Sequence, residues 1–181
     1  MGRRSQSTHR TFPKDLYPMT RTTIEAIQSC WEFNRGRTIA LLDRIAELPD
    51  PMSALGWRPR PGRAHIAWQV LHIGITEELF ATERILGTSP EFADYVPRFK
   101  GGSTPDDDIP NLDEIHRILK LSREHLLGTF EQFADADLET IPDAFAERGW
   151  SLGTILQVIS WHEAHHQGQA HAVLNWYQGQ D

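Results

Sequence analysis

Apolar side chains recur at alternating steps of three and four along four stretches of this chain. That spacing places them on one face of a helix, in a stripe that we call the seam. The pattern predicts helices over about residues 21–48, 65–86, 112–133 and 152–177. No stretch shows the two-residue alternation of a β-strand, so the sequence predicts an all-α protein.

Proline and glycine separate the predicted helices from one another. Pro49 and Pro51 end the first helix, and Gly87 ends the second. The connection 88–111 carries four prolines and is long enough for a crossover or a lid. Ser151 is the predicted N-cap of the last helix. Four helices of similar length with one seam each predict a four-helix bundle with a long crossover connection.

Length and composition bound the organisation and the partners. At 181 residues and 39% hydrophobic content, the chain fits one bundle domain over 21–181, preceded by a flexible segment over 1–20. A net charge of −7 argues against a nucleic-acid partner, and no stretch is apolar enough to span a membrane. A single cysteine and the lack of a signal-peptide pattern predict a cytoplasmic protein. Phe80, Trp161 and Leu174, which are apolar but outside the seams, suggest a homodimer.

The seam of the last helix carries the strongest sign of function. It is made of Leu152, Ile155, Ile159, His162, His166, Gln169, Val173 and Trp176. Only two histidines and a glutamine interrupt its apolar character. A buried imidazole costs free energy unless both nitrogens have partners, and two imidazoles one helical turn apart can bind the same ion. His162 and His166 therefore predict a metal site.

A third ligand has to come from another helix. His72 is the best candidate because it lies in the middle of the second seam, although by itself it also fits a hydrogen-bonded core histidine. The wheel angle of His165 would let it replace His166 as a ligand, but favours a position facing a neighbouring helix or solvent. Gln169 fits equally well an amide that orients a ligand and one satisfied between helices. The polar seam residues Asn34, Thr38 and Ser122 are expected to lie at the same level of the bundle.

Residues 162–166 also match the H-E-x-x-H pattern of zinc proteases, in which the glutamate is the general base. The extended protease pattern would need glycine and histidine where the chain has Gln169 and Ala172, so a protease is disfavoured. Glu163 remains a candidate catalytic base, or simply a solvated acid on the helix flank. Glu77 and Glu78 carry the same two interpretations, and the solvated face is favoured for both. Gly168 suggests a close neighbouring backbone or side chain, and the alternative is a glycine that the helix simply tolerates.

Two motifs make the sequence resemble the DinB-like, YfiT-related superfamily of four-helix bundles. They are Arg58-Pro59-Arg60-Pro61-Gly62-Arg63 leading into Ile66-Ala67-Trp68 and Leu71-His72-Ile73, and the run His162-Glu163-Ala164-His165-His166-Gln167-Gly168-Gln169. The resemblance covers about 21–177. It implies a divalent metal bound by His72, His162 and His166, the same three residues that the seams favour.

Relatives in that superfamily are described as metal-dependent hydrolases, or as transferases and isomerases that use a thiol such as bacillithiol, mycothiol or glutathione. We therefore expect a metal-dependent enzyme acting on a small molecule, with a hydrolase favoured over a thiol S-transferase or isomerase. A non-catalytic, metal-stabilised binding or stress-response protein is the third interpretation. Three imidazoles suit Zn, Ni or Fe. Arg35, Arg37 and Arg63 are candidate anchors for the charged groups of a thiol.

Overall fold

The structure is a computed structural model that describes residues 21–179. The predicted flexible segment 1–20 and residues 180–181 lie outside the described residues. The helices are α1 (Thr23–Ala46), α2 (Pro51–Gly56), α3 (Ile66–Leu79), α4 (Val96–Phe99), α5 (Leu112–Phe130) and α6 (Leu152–Gln178). A π-helical stretch, Phe80–Leu86, continues α3, and two 3-10 turns, Asp135–Asp137 and Asp143–Arg148, precede α6. No residue in 21–179 is in a strand, which confirms the all-α prediction.

Side-chain caps explain where the long helices begin. Thr22 and Glu25 form a reciprocal capping box at the start of α1. Asn111 accepts a hydrogen bond from the third amide of α5, and Ser151 does the same for α6, as predicted. Gly87 ends the π-helical stretch with φ of 67°, the left-handed conformation that glycine adopts at little cost.

Two short helices were not predicted. Both contain a proline that the sequence suggested would break a helix, namely Pro51 in α2 and Pro97 in α4. Each proline lies in the first turn, where its missing N–H has no intrahelical acceptor to lose. The Asp50 carboxylate caps α2 by accepting a hydrogen bond from the backbone N–H of Ser53. This pairs one of the N–H groups at the helix start that have no acceptor within the helix. The two prolines that were expected to interrupt helices therefore lie where short helices begin.

The bundle is built around α3. This helix is buried on nearly all sides and packs against both α5 and α6, while α1 packs mainly against α6. Gly74 allows the approach of α5, because a Cβ atom there would lie 3.1 Å from Ile118 Cγ2. Residues 87–111 then cross from the end of α3 to the start of α5. Among the described residues, no helix is both long and apolar enough to cross a membrane.

The seam of α6 was predicted correctly in its first half and at Val173, but not at Gln169 and Trp176. Leu152, Ile155 and Ile159 are buried, but Gln169 is exposed and Trp176 has 58% of its surface exposed. A straight helix drifts by about 20° per heptad relative to a strict seven-residue repeat. Near the end of the helix the buried face therefore includes Ala170 and Leu174 beside the predicted Val173.

The residues offered for a dimer contact do not form one surface. Phe80 and Leu174 are buried in the core, and only Trp161 is exposed. Phe80 stacks on Phe145 from the 3-10 turn before α6, with ring centroids 5.5 Å apart. Those two assignments were wrong because tertiary packing covered side chains that lie outside the seams. The homodimer itself stays a prediction.

Candidate metal centre

Three imidazoles from two helices meet inside the bundle. His72 extends from α3, and His162 and His166 extend from adjacent turns of α6. One nitrogen from each ring lies within 4.8 Å of the other two, and the Nε2 atoms of His72 and His162 are 3.1 Å apart. Imidazole nitrogens at about 2.0–2.1 Å from one tetrahedral ion lie roughly 3.3 Å from each other. The donor set and its spacing therefore fit a single divalent cation.

Two hydrogen bonds fix the orientation of two of these rings. His72 Nδ1 lies 2.6 Å from the carbonyl oxygen of Phe99, which can only accept, so Nδ1 carries the hydrogen and Nε2 keeps its lone pair. His166 Nδ1 donates in the same way to Gln69 Oε1 at 2.5 Å. Partners of this kind set the tautomer and direction of metal-binding histidines in proteins.

The surroundings keep the three rings neutral. Burial lowers the pKa of His162 to about 3, and the nearby His72 and His165 would repel a second positive charge. Burial also lowers the pKa of His166 to about 3, assisted by the same cluster of rings. The pKa of His72 is lowered by burial in spite of its hydrogen bond to Phe99. Neutral imidazole is the form that binds a metal.

The crossover 87–111 forms one wall of the site. Besides the Phe99 carbonyl, it brings Gly101 so close that a Cβ there would be 3.9 Å from His72 Cε1. Trp68 stacks on the His72 ring with centroids 4.7 Å apart, and its indole N–H donates to the carbonyl of Arg98. The segment is thus a crossover that also supports the site, as its length allowed.

Glu163 points into a different part of the core. Only 1% of its surface is exposed, and its carboxylate accepts hydrogen bonds from Arg35 Nε at 2.8 Å, Thr38 Oγ1 at 2.9 Å and Arg123 Nη2 at 2.5 Å. Although it follows His162 in sequence, successive residues of a helix project about 100° apart. Its function as a base stays a prediction, and its oxygens are already held by three donors.

Glu163 belongs to a buried ion-pair quartet, made of Arg35, Glu77, Arg123 and Glu163. Each of the four long helices α1, α3, α5 and α6 contributes one member. Burial alone would raise the pKa of Glu77, but the two guanidiniums outweigh it and hold that pKa below its ordinary value. Burial opposes the charge of Arg123, yet Glu77 and Glu163 raise its pKa.

The quartet corrects two sequence interpretations. Glu77 and Glu78 are 2% and 0% exposed, so neither lies on a solvated face. Glu78 instead pairs with His125 at 2.7 Å on the α5 side of the bundle. Arg35 is committed to the two glutamates and to the carbonyl of Leu119, which removes it from the candidate anchors for a thiol.

The predicted polar layer is only partly present. Asn34 donates to the carbonyl of Ser160, and the hydroxyl of Ser122 donates to the carbonyl of Leu119 within its own helix. Gln169 contacts the exposed His165 at 2.7 Å, so it does not orient one of the three rings. Nothing lies within 4 Å of a Cβ built on Gly168, which contradicts the close neighbour predicted there.

Gln69 and Trp68 were missed as site residues. Gln69 is buried with 6% of its surface exposed and lies three residues before His72, on the same face of α3. That spacing was visible in the sequence and could have identified it. The Phe99 carbonyl could not have been found in this way, because a main-chain acceptor from a distant loop leaves no side-chain pattern.

The fold and the site together define an all-α bundle with a three-histidine centre of the kind that binds divalent metals. A model of the DinB superfamily matches residues 31–170. The chain therefore belongs to the DinB superfamily, as the motifs in α3 and α6 indicated. No curated protein matches the sequence significantly. Membership and the cluster of His72, His162 and His166 fit a metal-binding protein of this superfamily.

Proposed function

We propose that this protein is a metal-dependent enzyme that hydrolyses a small molecule at a divalent ion held by His72, His162 and His166. The observation that carries the proposal is the convergence of three neutral imidazoles, two of them with their outer nitrogens already hydrogen-bonded. Three protein ligands are typical of catalytic metal sites, since a position stays open for water or substrate.

The metal would supply Lewis acidity at the open position, where the pKa of water falls to about 7 in known zinc enzymes. The chain's own residues orient the rings that would hold the ion. Phe99 and Gln69 orient two of the rings through their Nδ1 atoms, and Trp68 covers one face of His72. Zn, Ni and Fe all suit three imidazole ligands.

A thiol S-transferase or isomerase is the second candidate, and the position of Glu163 favours it. Water activation benefits from a nearby carboxylate base, but Arg35, Thr38 and Arg123 occupy the Glu163 carboxylate. A thiol has a pKa of about 8.5 and needs less assistance, because a bound cation alone is enough to deprotonate it.

Metal analysis of the untagged protein tests the proposal first. We expect one divalent ion per chain in the wild type and in His165→Ala, whose ring is exposed and outside the cluster. His72→Ala and His162→Ala should each lose the ion. A full complement of metal in both of those variants would overturn the assignment.

Activity assays with the metal-loaded protein then separate the candidates. Turnover of nitrophenyl esters without thiol supports the hydrolase, and conjugation of a chlorinated aromatic electrophile only in the presence of glutathione or a related thiol supports the transferase. Loss of turnover in His72→Ala ties either activity to the ion. Bound metal with neither activity, and with stability that depends on the metal, would favour the non-catalytic binding protein instead.

A further inference from the structure

A cleft of about 630 Å³ lies beside the histidine centre, between the α2–α3 connection and the second half of α6. This volume is within the range of about 300–1,000 Å³ that small-molecule sites occupy. Its lining includes Arg60 and Arg63 from the connection, Trp68 and Gln69 from α3, and Trp176 from α6. None of the three metal-site histidines is part of this lining.

The cleft and the centre share a wall. Trp68, which lines the cleft, stacks on His72 at 4.7 Å between centroids and at an interplanar angle of 14°. Gln69, which also lines the cleft, receives the Nδ1–H of His166. Only the side chains of Trp68 and Gln69 therefore separate a molecule bound in the cleft from the imidazoles of His72 and His166.

The charge in the cleft is not balanced. The neighbouring Arg58 and Arg98 are both paired with carboxylates of the acidic run 106–108. Within residues 21–179, by contrast, Arg60 and Arg63 form no ion pair with any carboxylate. These two guanidiniums, which have no carboxylate partner among the described residues, form a local positive site in a chain of net charge −7. Arginine binds carboxylates and phosphates through paired N–H donors.

Besides Gln69 and Gln169, the remaining lining of the cleft is apolar. Trp68 of α3 and Trp176 of α6 supply two indole rings, and Ala172 and Val173 of α6 also line the cleft. Trp176 has 58% of its surface exposed at a position where the sequence pattern predicted core. An exposed tryptophan in a concave site offers a large contact area to a flat apolar ligand.

We propose that this cleft binds the recognition part of the substrate, a small organic anion whose carboxylate or phosphate pairs with Arg60 and Arg63 while its flat apolar body lies against Trp68 and Trp176. The inference rests on the proposed function, because it assigns a substrate class to the same site. The reactive end of such a molecule extends past Gln69 and Trp68 toward the histidines.

Calorimetric titration with naphthoate, its neutral amide and naphthyl phosphate tests the cleft without requiring turnover. The titrations use chelator-treated full-length protein, so that no anion can bind to a metal instead. We expect naphthoate or naphthyl phosphate to bind at least about tenfold more tightly than the amide, since charged hydrogen bonds carry the preference. Whichever anion binds more tightly identifies the head group.

Matched variants assign the binding to these side chains. The double variant Arg60→Ala, Arg63→Ala should weaken binding at least about tenfold, whereas Arg21→Ala, Arg148→Ala removes the same charge from other exposed positions and should leave it unchanged. Trp176→Ala should weaken binding of the anion and the amide alike. Trp161→Ala, which removes another exposed tryptophan, should weaken neither.

The outcome is separable from that of the proposed function. Equal affinity for the anions and the amide, or equal loss in the two arginine double variants, would overturn the cleft assignment even if the protein holds its metal. Selective anion binding that depends on Arg60 and Arg63 would support the cleft even if metal analysis finds no ion at the histidines.

Discussion

The histidine centre and the ion-pair quartet are neighbours on α6, where His162 belongs to one and Glu163 to the other. The quartet brings two cations and two anions together from four helices, so its charges cancel without any added ligand. The centre brings three neutral rings together from two helices, with the Nε2 atoms of His72 and His162 3.1 Å apart. The quartet is complete when the chain folds, whereas we infer that a cation completes the centre.

The quartet and the histidine centre differ in what they contribute to the protein. A quartet with one member on every long helix fixes how the helices are aligned along their axes. Arg123 has the one buried side-chain nitrogen without a hydrogen bond among the described residues, and its guanidinium lies 5.8 Å from the Trp31 ring instead. We infer that the quartet positions α3 relative to α6, and so His72 relative to His162.

Breaking the quartet should have the largest effect. Glu163→Ala leaves Arg35 and Arg123 with one carboxylate between them, and removing one partner of a buried ion pair costs about 3–5 kcal/mol. The free energy of unfolding in urea should fall by that amount without metal, and by more with metal, because the quartet also positions His72 relative to His162. Glu32→Ala, which removes an exposed acid from α1, is the matched control and should change little.

A milder variant covers the case in which Glu163→Ala does not fold. Thr38→Val removes one hydrogen bond to Glu163 and should cost about 1–2 kcal/mol. If neither variant is destabilised by more than the Glu32→Ala control, the quartet does not hold the bundle together as inferred.

Metal binding to the histidine centre should give the next largest effect on stability. Metal that binds only the folded state adds about 2.7 kcal/mol of stability when its free concentration is 100 times the dissociation constant. Thermal unfolding of wild type and His165→Ala should therefore shift upward when Zn²⁺ is added. His162→Ala should show no shift, and an equal shift there would mean that the ion binds elsewhere.

The metal-free protein should lose stability in mildly acidic solution. The pKa values of His162 and His166 are about 3 in the folded protein and 6.5 when unperturbed, so the unfolded chain takes up protons first. The stabilising contribution is complete above pH 6.5 and is lost as the pH falls toward 3. Glu77, whose folded pKa lies below 4.5, loses its contribution only in the lower part of that range.

Urea midpoints at pH 7, 6 and 5 isolate the histidine part of this effect. We expect it to be smaller than that of breaking the quartet, because solvent reaches part of the His162 and His166 rings. The double variant His162→Ala, His166→Ala should show a flatter dependence, with a remainder from the buried His65 and His72. An unchanged slope would contradict the assignment.

Removing the support for one ring should have the smallest effect. Gln69→Leu deletes the acceptor for His166 Nδ1, and loss of such a partner weakens metal affinity by about 10–100-fold. Competition with a chelating dye measures this change directly. Gln157→Leu, at an exposed position of α6, should leave the affinity unchanged.

The sequence was sufficient for features that depend on spacing along one helix. The four long helices followed from the steps of three and four, and the pair His162 and His166 followed from one helical turn. His72 also emerged, because a histidine in the middle of an apolar seam is unusual. Gln69 could have been added by the same reasoning, since it lies one turn before His72.

The quartet was not predictable in the same way. Glu77 and Glu78 were interpreted as surface acids because two charges in succession usually lie on a solvated face. The structure buries α3 on nearly all sides, so that face meets the arginines of α1 and α5 instead. The near-continuous apolar character of α3 was the available signal that every face of it would be covered.

By itself, then, the sequence determined the helices, the bundle class and the three histidines, because these depend on local periodicity and on the cost of placing an imidazole among apolar residues. Only the tertiary structure decided which partner each buried charge has, that Phe99 and Gln69 orient the rings, and that Trp176 faces a cleft rather than the core. Those outcomes depend on helix rotation and on the path of the crossover, and small differences in either bring a different set of distant residues into contact.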